Sequence, residues 1–114
     1  MEKTIFDGII AGEVPADVVY RDEHVIAFRD INPQAPVHVL VVPLERMESI
    51  AEATSGKPET LGRFMQGIAT VARELGLEEK GYRVVFNTGR DALQTVQYVH
   101  AHILGGRKLG WPPG

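Results

Sequence analysis

The segment Thr95-Val96-Gln97-Tyr98-Val99-His100-Ala101-His102-Ile103-Leu104 decides how this chain folds. Read as a strand, it sends Tyr98, His100 and His102 to one face and Val99, Ala101 and Ile103 to the other, because side chains alternate with period two. The apolar set faces a core. The polar set lines a surface or a pocket. Gly105-Gly106 stops the strand. A second strand, Val37 to Val42, carries His38, Leu40 and Val42 on one face and Val37, Val39 and Val41 on the other. Being apolar on both faces, it is expected to be central and buried, with Pro43 ending it.

Outward from these two strands, the remaining pattern is α+β. Thr4 can cap a short helix in which Ile5, Phe6, Ile9 and Ile10 fall at helical spacing, ending near Gly12. Val18 to Tyr20 is extended, Arg21-Asp22-Glu23 a turn, and Val25 to Asp30 a strand with Ile26, Phe28 and Asp30 on one face. Asn32 to Pro36 is a loop, since its two prolines interrupt a ladder. A short helix is predicted around Met47 to Ala53. A long amphipathic one opens at Pro58-Glu59 and carries Leu61, Phe64, Met65, Ile68, Val71, Ala72 and Leu75 before Gly76. Tyr82 to Asn87 is a strand, and Gly110 to Gly114 an irregular tail. Strands grouped around one main helix imply an antiparallel sheet. At 114 residues, the expectation is a single domain, 1–114.

Composition narrows the function. The chain is 44% hydrophobic and 24% charged, ordinary for a soluble globular protein. No apolar run reaches the ~20 residues of a membrane span. The opening MEKTIFDGII lacks a basic region followed by a long apolar stretch, so no signal peptide is expected and a cytoplasmic location fits. Without cysteine there is no thiolate nucleophile and no cysteine-ligated zinc. The 12 basic residues are scattered against 15 acidic ones, with no basic stripe for a nucleic-acid duplex. A small phosphate-bearing ligand stays open, because backbone amides and hydroxyls bind phosphate without lysine.

The histidines are His24, His38, His100 and His102. The last two, ~7 Å apart along a strand face, can both reach one phosphate group. On spacing alone three readings stand side by side: half-exposed structural histidines, a metal site with His38 as third ligand, and a histidine nucleophile or acid–base at a phosphate.

The neighbouring residues favour the third. Gln94 to Arg107 resembles the signature of the histidine triad (HIT) family, His-x-His-x-His with apolar residues following, here ending Leu104-Gly105-Gly106-Arg107. The tail Gly110-Trp111-Pro112-Pro113-Gly114 looks like that of the Hint branch, the purine nucleotide-binding phosphoramidases. The N-terminal half is similar too: Thr4-Ile5-Phe6, Glu13-Val14-Pro15-Ala16, Asp30-Ile31-Asn32-Pro33-Gln34-Ala35-Pro36 and His38-Val39-Leu40-Val41-Val42-Pro43.

The resemblance implies a HIT-like fold with a five-stranded antiparallel sheet, one long helix and a short N-terminal one. It implies a homodimer with two purine nucleotide sites and needs no cofactor or metal. His100 would attack the α-phosphorus of a nucleoside phosphoramidate, with its second ring nitrogen held by a carbonyl. His102 would contact the phosphate or protonate the leaving group, and His38 would sit beside the nucleophile. Asp30 matches the carboxylate that accepts from both ribose hydroxyls. Ile5, Phe6, Ile9, Ile31 and Leu40 match the apolar walls of the base pocket, though Ile9 and Leu40 read equally well as core, and Phe28, on the Asp30 face of its strand, is placed to touch the base. Asn87, Gln94 and Thr95 match polar residues near ribose and phosphate, and Asn87 reads equally well as a strand-end turn residue. Trp111 would approach the partner subunit's site.

Three departures stand out. The triad is Tyr98-x-His100-x-His102, with tyrosine where the signature begins with histidine, and Tyr98 is expected to orient and hydrogen-bond within the nucleotide site. Ala92-Leu93 replaces a usual Gly-Gly. Leu44 and Arg46 replace a frequent lysine and histidine, which is expected to remove a cation on the leaving-group side.

Overall fold

Thr4 closes a complete capping box. Its hydroxyl accepts from the backbone N–H groups of Phe6 and Asp7, while the Asp7 carboxylate accepts from the Thr4 N–H. Helix α1 follows over Ile5–Ile10. In a computed structural model describing residues 2–114, the chain then runs through strands β1 (Val18–Arg21), β2 (Val25–Arg29) and β3 (Val37–Pro43), a 3-10 turn (Ile50–Ser55), helix α2 (Pro58–Glu74), and strands β4 (Tyr82–Val85) and β5 (Ala101–Gly105). The five strands form one antiparallel sheet in the order β1-β2-β3-β5-β4. This is the α+β arrangement that the periodicities predict.

The central strand β3 pairs with β2 and β5 along its length, setting Leu40 against both Phe28 and His102. Its alternation separates two layers. Val39 and Val41 join Val25, Ala27, Ala101 and Ile103 under α2, which contributes Phe64, Ile68, Val71 and Ala72. Leu40 and Val42 join Ile26, Phe28 and Tyr98 under α1, which contributes Phe6 and Ile9. Helix α2 lies close on the sheet because Gly67 has no side chain: a Cβ there would come 2.7 Å from a Val25 methyl. With 17 residues against 6, α2 spans ~26 Å and α1 only ~9 Å. The second layer is therefore only partly roofed.

Three expectations are corrected. The strand predicted over Thr95 to Leu104 begins only at Ala101. The register that pairs Val41 with Ala101 would set Pro43 against Val99, and proline has no N–H for a ladder. The Val99 N–H instead donates to the Met47 carbonyl at 2.7 Å. Side-chain alternation nevertheless persists through the irregular stretch: Tyr98 packs in the α1 layer and Val99 in the α2 layer. The helix predicted around Met47 to Ala53 is a 3-10 turn over Ile50–Ser55, set by the Ser49 hydroxyl accepting from the Ala51 N–H. Strand β4 stops at Val85, short of the predicted Asn87.

Candidate active site

A cleft of about 620 Å³ opens on the α1 side of the sheet. Its walls come from four places. Helix α1 supplies Ile5, Phe6 and Ile9; the end of β2 and the residues after it supply Phe28, Asp30 and Ile31; β3 supplies Leu40; and the segment leading into β5 supplies Thr95, Val96, His100 and His102. Ile31 is fully exposed at the rim, whereas Phe28 and Leu40 are buried at the floor. The sequence thus brings ten of its proposed contacts to one cleft. Pro15, Ala16, Asp17 and Arg29 also line it. Pro15 and Ala16 belong to a stretch that resembles the family, but the sequence reading gives them no role at the site.

The histidines form a relay with defined proton positions. The Gln34 N–H donates to His38 Nδ1 at 3.0 Å, so the proton of neutral His38 is on Nε2. That nitrogen is 2.9 Å from His102 Nδ1 and 3.4 Å from an Asp30 carboxylate oxygen. His102 Nδ1 then accepts, which leaves the His102 proton on Nε2. This buried nitrogen has no partner among the described residues. On the other side, His100 Nδ1 donates to the Tyr98 carbonyl at 2.7 Å, so its lone pair is on Nε2. The His100 and His102 rings are 5.0 Å apart between centroids, and Phe6 meets His100 edge-on at 5.0 Å. His38 touches His102, not His100, so it stands one place further along the chain of rings than expected.

Burial keeps these rings neutral. It lowers the pKa of His100, against a smaller opposing effect of the Tyr98 carbonyl and Asp30. It lowers that of His38, opposed by Asp30. For His102 burial is reinforced by the neighbouring His100 and His38, and the pKa falls to about 4. At neutral pH the cleft therefore holds an unprotonated nitrogen on His100 and an N–H donor on His102.

Three expected contacts are placed elsewhere. Tyr98 does not line the cleft: its side chain is 1% exposed, and its hydroxyl donates to the Pro43 carbonyl. Burial pushes that phenol up to about 12. Gln94 uses its whole amide inside the fold, donating to the Glu48 and Val96 carbonyls and accepting from the Gly89 N–H. Asn87 is half-buried at the end of β4, outside the cleft lining. Trp111 is largely exposed, with the Arg83 guanidinium 5.8 Å from its ring and Arg83 also donating to the Gly110 carbonyl. The tail is thereby held to the edge strand β4. Leu44 leaves no cation at the position of the frequent lysine, and the Arg46 guanidinium faces α1 rather than the cleft.

A HIT domain matches residues 11–109. The chain belongs to the HIT family. It is 44% identical over 109 residues to the purine nucleoside phosphoramidase of Escherichia coli, covering 96% of this chain and 92% of that one. It is 50% identical over 113 residues to a 14 kDa zinc-binding protein of Zea mays, covering 97% and 88%. The crystal structure of a HIT family hydrolase from Legionella pneumophila superposes with a TM-score of 0.92 at 41% identity, covering 98% of this chain and all of that one. The HIT fold implied by the signature is thus the fold observed.

Proposed function

We propose that this HIT protein hydrolyses purine nucleoside 5′-phosphoramidates or related nucleotidyl conjugates through a nucleotidyl intermediate on His100. The observation that carries the reading is the pair of opposite proton states side by side: a lone pair on His100 Nε2 and a partnerless N–H on buried His102 Nε2. His100 Nε2 attacks the α-phosphorus, a P–N bond to the ring forms, and the bond to the leaving amine breaks. The amine takes its proton from His102 Nε2, and the negative charge left on that ring is balanced by the positive charge gained by the neighbouring His100 ring, 5.0 Å away between centroids. The charge gained by the His100 ring is held by the Tyr98 carbonyl at Nδ1–H. Water then attacks the phosphorus, gives its proton back to His102, and frees His100. An unsatisfied buried donor costs about 1–3 kcal/mol, so the resting cleft is already biased towards an acceptor at His102. Asp30 accepts from the ribose hydroxyls, Thr95 donates to a phosphate oxygen, and the apolar slot takes the base by ring shape.

The test is adenosine 5′-phosphoramidate with the purified protein, quenched for mass spectrometry. AMP release with an AMP adduct on the His100 peptide is expected. Nucleotide binding with no adduct and no AMP would leave a nucleotide-binding module in place of an enzyme. We also propose a homodimer in which Trp111 reaches the partner subunit's cleft; a monomer mass by light scattering at micromolar concentration would remove that.

One observation favours a second reading. Ligand atoms of Asp30, His38 and His102 lie within 4.8 Å of one another, a one-carboxylate, two-imidazole set suited to zinc. The relative in Zea mays is named for zinc binding. Zinc there would displace the His38–His102 hydrogen bond, so on this reading the metal inhibits hydrolysis, and added chelator raises the rate.

A further inference from the structure

Arg46 lies against the Tyr98 ring and ties together three segments of the chain through its guanidinium. One terminal nitrogen donates to the Glu2 carbonyl at 2.8 Å and to the Asp7 carboxylate at 3.1 Å. The other donates to the Gln97 carbonyl at 2.8 Å. The guanidinium carbon lies 5.3 Å from the centre of the Tyr98 ring. Only 17% of the side chain is exposed. The Asp7 oxygen it meets is the one that closes the Thr4 capping box.

These contacts join two pieces of structure that share no ladder. One is the start of α1, whose Phe6 ring bears on His100. The other is the Gln97–Tyr98 turn, whose Tyr98 carbonyl holds His100 Nδ1–H. The peptide that carries the Tyr98 carbonyl is anchored at its other end, the Val99 N–H, by the carbonyl of Met47, the residue next to Arg46. Because residues 95–100 have no strand partner, the direction of the Tyr98 carbonyl rests on two contacts of the Arg46–Met47 stretch, the guanidinium on the Gln97 carbonyl and the Met47 carbonyl on the Val99 N–H. A planar fork with several donors can hold that stretch to α1 and to the turn together, whereas a single ammonium cannot bridge the same carbonyls at once.

We propose that Arg46 is a positioning residue for His100: by tying the α1 start to the Gln97–Tyr98 turn, it sets the His100 tautomer and ring orientation. The inference rests on the reading of His100 as the attacking group, but its first test does not. In the ligand-free protein, long-range proton–nitrogen NMR reports which His100 nitrogen carries the proton. Wild type is expected wholly as the Nδ1–H form. Arg46→Met, which keeps length and packing against Tyr98, is expected to give a mixture of both tautomers, and Arg46→Lys a smaller admixture. Hydrolysis is expected to fall in kcat by about ten- to a hundredfold in Arg46→Met, the scale of a misplaced reacting group. KM is expected to stay near wild type, since Arg46 touches neither base nor ribose. Should Arg46→Met fail to fold, Arg46→Lys is read by the same signals. A folded variant with His100 still wholly in the Nδ1–H form overturns the proposal, whatever its activity. A tautomer shift in a protein that hydrolyses no phosphoramidate sustains it and sinks the reading of the reaction instead.

Discussion

The same two strands, β3 and β5, have one face built for cohesion and one for chemistry. On the α2 side, Val39, Val41, Ala101 and Ile103 are completely buried. On the α1 side the intervening residues are His38, Leu40, Val42 and His102, with His100 just before the strand. Polar rings can be held there because each nitrogen that faces protein has a partner, and because a six-residue helix leaves part of the layer open. Alternation lets one strand serve both ends: the face under the long helix holds the sheet rigid, and the other inherits that rigidity without having to supply it.

The sharpest division would be seen with His100→Ala. Turnover is expected to fall at least a thousandfold, while AMP affinity stays within about tenfold, ~1.4 kcal/mol, because a nucleophile contributes to the transition state more than to ground-state binding. Steady-state rates and calorimetry check this; undiminished hydrolysis would end the covalent mechanism. The mirror experiment on the other face is Ile103→Ala. It should lower unfolding free energy by about 2–5 kcal/mol, the cost of a core cavity, and leave the pH profile of the surviving activity unchanged. Urea denaturation reads the first quantity. A shifted profile would show that the two faces are not separable.

Tyr98→Phe tests the boundary between them. Removing the hydroxyl leaves the buried Pro43 carbonyl without this donor, at a cost of about 1–3 kcal/mol in stability. Turnover should stay within about threefold of wild type, since the substitution keeps the ring and the main-chain carbonyl that His100 uses. A tenfold loss of rate with unchanged stability would place the hydroxyl in the chemistry after all.

The remaining expected effect is on pH. His102 has a pKa near 4 when folded, against 6.5 for a free imidazole. Between those values the unfolded chain binds a proton that the folded chain does not, so stability is full above pH 6.5 and declines as pH falls towards 4. His100 and His38 are displaced in the same direction and add to the decline. Urea midpoints at pH 7.5 and 5 measure the drop, and it should shrink in His102→Asn. An equal drop in that variant would mean that other groups govern the acid side.

Period-two alternation assigned every residue of β3 and of the His100 region to its correct layer, and capping by Thr4 located α1. These are local signals, carried by neighbours within four positions. The resemblance implies Asp30 at the ribose and His38 beside His100; in the structure ligand atoms of Asp30, His38 and His102 lie within 4.8 Å of one another. What escaped was decided by distant partners. The end of the β5 ladder depends on Pro43, which lies far earlier in the chain but opposite it by the register. Gln94 looks like a ligand contact until the Glu48 carbonyl takes its amide. Arg46 reads only as a departure from a frequent histidine, because nothing near it in sequence shows that Asp7 and Gln97 will face it.

The acceptor that orients His100 is a peptide oxygen, and a peptide oxygen is not encoded by any codon. Replacing the side chain at position 98 cannot delete it; only a change in the path of the chain can. That gives the position a freedom which a side-chain acceptor would have denied it, and a tyrosine can stand where the signature begins with histidine. The same property moves the vulnerability elsewhere. Damage to this contact must arrive through substitutions that bend the backbone, at sites whose own side chains never meet a ligand. Variation harmful to the reaction is therefore expected to map to the supports of the turn before it maps to the turn itself.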